Sequence, residues 1–268
     1  MSSSATLAKL RLDAELVRRG LASSRAEARR AIEEGIVLVK GMPTARVATM
    51  VSPSDPIALT GEARRFVSRG GDKLNGALER LDVVVKDRRW LDAGASTGGF
   101  TDRLLRGGAS AVIAADVGYG QLDWGLRNDE RVTVLERTNV RTLTPGDLPW
   151  RPDGVVADLS FISLTLVLPA LADVVASEGD LVLMVKPQFE VGKARVGRGG
   201  VVKDPDLWTE AVERVVASGA ERGLVLAGAT ASDVIGPAGN REFFVHLSRR
   251  GPHNRGAIER AIAEAPPT

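Results

Sequence analysis

The stretch Leu91-Asp92-Ala93-Gly94-Ala95-Ser96-Thr97-Gly98-Gly99-Phe100 carries residue types suited to two different chemistries. A short apolar run leads into it, and Phe100, Leu104 and Leu105 recur behind it at helical spacing. In a strand–turn–helix of this kind, glycine lets the backbone approach a ligand closely because no Cβ intervenes. The N–H groups of the helix start then receive a polar or anionic part of that ligand. This is a cradle for a nucleotide-like cofactor. The same residues also read G-x-S-x-G over positions 94–98, the nucleophile elbow of hydrolases, and Asp158 and His246 follow in the order Ser, Asp, His. Asp116 favours the first chemistry. It ends the apolar run Ala111-Val112-Ile113-Ala114-Ala115, and an acid about 20 residues past the glycine loop, at the tip of the second strand, is placed for ribose hydroxyls. His246 sits inside Phe243-Phe244-Val245-His246-Leu247, an ordinary setting for a partly buried structural histidine.

Four further charged residues stand at the ends of expected elements. Asp158 closes Val155-Val156-Ala157, and Lys186 closes Leu183-Met184-Val185, with Pro187 stopping that strand. Glu242 starts the run Phe243–Leu247, and Lys73 follows Arg69-Gly70-Gly71-Asp72 at the opening of a helix. Open α/β sheets bind ligands at the carboxyl edge of their strands, so these groups can converge beside the glycine loop. Each alone reads as a surface ion pair. Together, in the order Lys73, Asp158, Lys186 and Glu242 on matching elements, they are much less easily accidental.

The elements that must position these residues alternate in the βα manner of a mostly parallel sheet. Strands are expected at 89–93, 111–116, 132–136, 154–158, 180–186, 224–230 and 242–248. The last two share one short Gly- and Pro-containing connection, 232–241, and so form an antiparallel pair rather than another βαβ unit. The expected fold is α/β, a Rossmann-like seven-stranded sheet over residues 68–268. It is preceded by a small α+β module over 1–60 and a linker over 61–67, where Phe66 is either a hinge residue or simply a buried aromatic.

In the small module, Leu12, Leu16 and Val17 share a helix face that Gly20 can close. Ser24-Arg25-Ala26-Glu27 is a capping box opening a second helix, which Gly35 ends. On that helix Ala28, Ala31 and Ile32 face inward while Arg25, Arg29 and Arg30 point largely outward. Residues 1–90 hold 17 Lys/Arg against 11 Asp/Glu, and residues 91–268 hold 19 against 23, so the total of +2 conceals a basic front end. That asymmetry suggests a polyanionic partner. The absence of cysteine excludes disulfides and thiolate metal sites, and two histidines argue against a zinc enzyme. No metal is expected. There is no apolar run near 18 residues and no signal pattern at Met1-Ser2-Ser3-Ser4, which points to a cytoplasmic protein without membrane contact.

Arg11-Leu12-Asp13, Gly20-Leu21-Ala22-Ser23-Ser24-Arg25 and Gly35–Gly41 together resemble the S4-type RNA-binding domain. The order Lys73, Asp158, Lys186, Glu242 resembles the signature of the FtsJ-like ribose 2′-O-methyltransferases. The small basic domain with Ser68–Lys73, Asp92–Phe100, Asp116–Gly120, Ala157–Ser163 and Val185–Glu190, over about residues 9 to 250, resembles the TlyA family, whose members are often labelled hemolysins. The resemblance implies an rRNA (cytidine-2′-O)-methyltransferase acting on 16S and, for longer members, 23S rRNA within ribosomal subunits, with an influence on capreomycin-type sensitivity. It implies S-adenosyl-L-methionine as cofactor, held by Gly94, Ser96, Thr97, Gly98, Gly99, Phe100, Asp116, Val117, Asn139 and Asp158. Lys73, Asp158, Lys186 and Glu242 become the catalytic set, with Lys186 contacting the 2′-oxygen either as base or as a donor orienting its lone pair. Arg11, Arg25, Arg29, Lys40 and Arg46 become candidates for rRNA phosphates. A binding protein without catalysis, a serine hydrolase and a membrane-lytic protein are the competing readings; oligomeric state is left open.

Overall fold

The computed structural model describes residues 9–265 except 23, 34, 45, 61–64 and 237, and only the backbone at 26 and 30. Two compact units emerge, Met1–Arg64 and Arg65–Thr268. In the first, strand β1 (Leu10–Arg11) leads into α1 (Leu12–Arg18), followed by α2 (Arg25–Glu33), β2 (Val37–Val39), β3 (Met42–Pro43), β4 (Met50–Val51) and β5 (Ile57–Leu59). β3, β2 and β5 form an antiparallel sheet, and β1 pairs with β4. Leu12, Leu16, Ala28, Ile32, Val37 and Val51 make its core. Gly20 and Gly35 end the two helices at φ +71°, a conformation that glycine adopts without the usual Cβ penalty. Ser24 Oγ accepts from Glu27 N at 3.2 Å, the expected cap of α2.

The second unit holds α3 (Arg69–Arg80), β6 (Arg89–Ala93), α4 (Gly99–Arg106), β7 (Ala111–Ala115), α5 (Trp124–Arg127), β8 (Val132–Leu135) and β9 (Gly154–Ala157). α6 (Leu168–Val174), β10 (Asp180–Val185), α7 (Pro187–Glu190), α8 (Pro205–Ala220), β11 (Val225–Ala231), β12 (Phe243–Ser248) and α9 (Ala257–Ala263) complete it. The sheet order is β11-β12-β10-β9-β6-β7-β8. β10, β9, β6, β7 and β8 run parallel, while β12 lies antiparallel between β10 and β11. This is the expected seven-stranded arrangement, with strand limits within a residue of those read from the sequence.

Alternating strand residues feed two core layers. Leu91, Ile113, Val155, Leu183 and Phe243 face α6, α8 and α9, and Trp90, Val112, Val156, Val182 and Phe244 face α3 and α4. Each fully buried aliphatic side chain contributes roughly 1.5–3 kcal/mol, so the two faces supply the cohesion and the strand tips are left for polar work. Asp116, Asp158 and Lys186 each stand one residue past the end of a parallel strand, and Glu242 one residue before β12. Of the expected linker, residues 61–64 lie outside the described ones. Phe66 is buried in the second unit, where a Cβ on Gly71 would meet its side chain at 2.3 Å. Val67 N donates to Asp102 Oδ2 at 2.9 Å.

Candidate active site

The tips of β9 and β10 and the start of β12 are neighbours in the sheet, and the four expected charges form two pairs there. Lys73 Nζ, from α3, meets Glu242 Oε2 at 2.5 Å, with both side chains buried. Lys186 Nζ meets Asp158 Oδ1 at 2.6 Å and donates to Ser160 Oγ at 3.1 Å. The surroundings differ. The Asp158 side chain keeps 27% of its surface accessible and Ser160 is exposed, so the second pair opens to solvent on one side. Lys186 Nζ also lies 6.0 Å from the Phe189 ring centroid, and Phe189 packs on Phe161 at 5.4 Å. Phe161 is 92% exposed with φ +65°. The loop that carries Ser160 and Phe161 is tied to α7, because Glu190 accepts from Ser163 Oγ at 2.5 Å and from Leu164 N at 2.8 Å. Burial holds the Glu190 carboxyl above its ordinary range despite these donors.

Across the glycine loop, Asp116 accepts from Ser96 N at 2.9 Å and from Gly118 N at 2.7 Å. A narrow recess of about 10 Å³ is lined there by Ala95, Ser96, Ala114, Asp116, Gly118, Gln121, Leu122, Val134 and Glu136. Beneath the loop, Asp92 is fully buried. Its Oδ2 accepts from Thr101 Oγ1 at 2.7 Å, while Oδ1 has no hydrogen-bond partner among the described residues. Burial pushes its carboxyl up to about 7, helped by the charges of Asp158 and Asp116 and opposed by Thr101.

The loop's glycines are also required by the protein's own packing. A Cβ on Gly94 (φ +87°) would meet the Asp158 carbonyl at 2.6 Å, and one on Gly98 (φ +96°) would meet Leu126 at 2.3 Å. On Gly99 it would meet Ser68 Oγ at 2.1 Å. In the direction a Cβ would take, each of these glycines is packed by the protein itself. Of the expected cofactor residues, Ser96 and Asp116 line the recess. Thr97 accepts through its carbonyl from Asp123 N, and Val117 is exposed. Phe100 instead lies in the core, 6.1 Å from the Phe244 ring, and Asn139 caps the turn 140–142 by accepting from Arg141 N. Sequence reasoning passed over Gln121, Glu136, Ser160 and Glu190. Only Ser160 and Glu190 fall within the motifs it had singled out, and neither was given a role.

The hydrolase geometry is not assembled. His246 Nε2 lies 3.0 Å from Asp180 Oδ1 at the amino edge of the sheet, where Arg88 also pairs with Asp180 at 2.8 Å. Ser96 meets Asp116 and Gln121 instead. Among the described residues no cluster of His, Asp and Glu could hold a metal ion, and no helix is long and apolar enough to cross a membrane. In the first unit the candidate phosphate-binding residues carry ion pairs of their own: Arg11 and Arg25 with Asp13, Arg29 with Glu33 at 3.3 Å, Lys40 with Asp55 at 3.0 Å. Arg46 is exposed.

A seven-stranded sheet with this antiparallel insertion and a Lys-Asp-Lys-Glu set at its carboxyl edge is the architecture of a methyltransferase. The FtsJ-like methyltransferase family model matches residues 66–249, and the S4 domain model matches residues 10–57. The 16S/23S rRNA (cytidine-2′-O)-methyltransferase TlyA of Mycobacterium tuberculosis is 52% identical over 267 residues, covering 96% of this chain and 99% of the relative. YqxC of Bacillus subtilis, named as an rRNA methyltransferase, is 42% identical, covering 97% and 95%. A solved structure of a Streptococcus thermophilus protein carrying a hemolysin name superposes with a TM-score of 0.75 at 38% identity, covering 96% and 95%. The chain belongs to the TlyA family of FtsJ-like methyltransferases.

Proposed function

We propose that this enzyme transfers a methyl group from S-adenosylmethionine to the ribose 2′-hydroxyl of cytidine in 16S and 23S rRNA, acting in the cytoplasm on ribosomal subunits and thereby altering sensitivity to capreomycin-type antibiotics. The observation that carries the reading is the pairing of Lys186 with Asp158 and of Lys73 with Glu242 on adjacent strand tips beside the glycine loop.

The residues around that loop fit the cofactor. Asp116 at the second strand tip suits a ribose diol, and Ser96 stands beside it in the recess. When bound, S-adenosylmethionine supplies a methyl group already activated on a sulfonium. The protein's remaining tasks are to align the 2′-oxygen in line with that methyl and to accommodate the hydroxyl proton as the new C–O bond forms. Asp158 and Ser160 fix the Lys186 amine at the open side of the site, where it contacts the 2′-oxygen. Lys73 and Glu242 hold each other and brace the neighbouring tip. Arg11, Arg25, Arg29, Lys40 and Arg46 of the first unit dock rRNA phosphates, consistent with the RNA-binding family of that unit. Mapping 2′-O-methylation on rRNA from cells with and without this gene tests the reading. An unchanged methylation map in both subunits overturns it.

A further inference from the structure

We propose that Arg11, Asp13 and Arg25 form one built site for a single RNA phosphate, with the Asp13 carboxylate as the post that sets two guanidinium groups into a common fork. The inference rests on the RNA-docking reading of the first unit and specifies how that docking is made. Asp13, on the first turn of α1, is 5% exposed. Its Oδ1 accepts from Ala14 N at 2.9 Å, which fixes the carboxylate on the helix. Arg11 approaches with Nε on Oδ1 at 3.2 Å and Nη2 on Oδ2 at 3.3 Å. Arg25, from the start of α2, places Nη2 and Nε on Oδ2 at 2.7 and 3.2 Å. Two guanidinium groups that share one carboxylate are within a phosphate group's reach of each other. Both side chains remain about half exposed, at 47% and 57%, and among the described residues Nη1 of each has no protein partner. Burial alone would raise the Asp13 carboxyl, but the hydrogen bonds and charges of Arg25 and Arg11 outweigh it and hold it below the ordinary range, so the post stays ionised.

The neighbouring acid shows what distinguishes a fork from a staple. Glu15 also carries two arginines, Arg18 at 2.6 and 2.7 Å and Arg19 at 2.7 Å. Arg19, however, spends its other donors on the carbonyls of Asp55, Pro53 and Ser52, and its side chain is only 21% exposed. That arrangement locks α1 to the segment before β5. At Asp13 the donors are only half spent and point into solvent-accessible space. An arginine loses most of its rotamer freedom when it grips a phosphate, and Asp13 imposes that order before RNA arrives.

The two physical effects of Asp13 have opposite signs, which makes the proposal testable. Charge counting alone says that removing a carboxylate from an RNA-facing surface tightens RNA binding. Preorganisation says that the same change weakens it. The test is subunit binding by the full chain as a function of salt, for Arg11→Met, Arg25→Met, their double variant and Asp13→Asn. If one phosphate is shared, the double variant lowers the slope of log K against log salt by about one unit or slightly less, and each single variant, which leaves one guanidinium on that phosphate, lowers it by less. Asp13→Asn should weaken binding about five- to tenfold with its melting temperature retained, the range of a lost charge-assisted contact. A loss of two units in the double variant, or equal or tighter binding by Asp13→Asn, overturns the fork while leaving RNA docking intact. An unchanged slope in the double variant overturns the docking reading, and the fork with it. Should Asp13→Asn melt early, the coupling between the two exposed arginines decides alone.

Discussion

Both edges of the seven-stranded sheet carry buried charge, yet the two clusters are finished to different degrees. At the amino edge, Asp180 is closed by His246 at 3.0 Å and Arg88 at 2.8 Å, with Arg250 at 3.7 Å, and both carboxylate oxygens are engaged. At the carboxyl edge, the Lys186–Asp158 pair opens on the side of Ser160, and Asp92 keeps one oxygen without a hydrogen-bond partner among the described residues. A cluster whose hydrogen-bonding capacity is spent stabilises the fold. One whose capacity is held back has somewhere to put a ligand. Incomplete satisfaction, rather than burial and charge alone, is what singles out the carboxyl edge as the candidate site.

The sharpest way to break this comparison is to remove one charge from each edge. Lys186→Ala should lower methyl transfer by ~10²–10⁴-fold, the usual range for lost acid–base or positioning assistance, with binding of cofactor and subunits nearly unchanged. Asp158→Ala, Lys73→Ala and Glu242→Ala should also be impaired, and their combinations should be less than additive because each amine is set by a carboxylate. Asp180→Asn should do the reverse, costing about 1–3 kcal/mol of stability while the folded enzyme keeps its turnover number. Full activity in Lys186→Ala, or a specific loss of turnover in Asp180→Asn, removes the distinction.

A second test uses the opposite pH responses of the two edges. The Asp92 carboxyl, raised to about 7 by burial, binds its proton more tightly in the folded than in the unfolded chain. Its contribution is therefore present at acid pH and lost as pH climbs from about 4 through about 7. Burial also works to raise Asp180, but the hydrogen bonds and charges of His246 and Arg88 prevail and lower it to about 2. That contribution is present above about pH 4 and lost as pH falls towards 2. Melting curves of Asp92→Asn should rise relative to the parent between pH 4 and 8, by a few kcal/mol at most. Those of Asp180→Asn should converge on the parent below about pH 3. Parallel curves for the two variants would show that the edges do not differ in this way.

The sequence disclosed the strands because their apolar runs are short, alternate with helical spacing and stop at residues such as Pro187. It disclosed Asp116, Asp158 and Lys186 as strand-tip residues for the same reason: polarity changes abruptly where the ladder ends. The packing that Gly94, Gly98 and Gly99 also serve was not legible, since the atoms a Cβ there would meet belong to Asp158, Leu126 and Ser68, brought there by tertiary packing. Phe100 shows the same limit. Its place beside the glycine loop suggests a ligand contact, and its packing on Phe244, on a strand 144 positions later, has no mark in the sequence. Asp13 was visible only as a residue inside a motif, because sharing by Arg11 and Arg25 requires α1 and α2 to meet.

The smallest expected effect concerns Gln121, which no motif marks. A Cβ on Gly118 would meet its Nε2 at 2.3 Å, and Ser96 Oγ lies 3.5 Å from its Oε1, so the amide folds across the recess at Asp116. The recess, at about 10 Å³, holds no more than a water-sized group in this arrangement. An adenosine at Asp116 therefore requires the Gln121 side chain to swing away, giving up contacts that are weak and partly exposed. Gln121→Ala removes that competition without touching Asp116 or the loop backbone. Calorimetry should find cofactor affinity about two- to fivefold higher in this variant, with rRNA affinity unaltered, since a conformational cost of less than a typical hydrogen bond is being removed. Weaker cofactor binding in Gln121→Ala would instead make the amide a ligand contact, and the carboxyl edge would then be less open than its unpaired groups indicate.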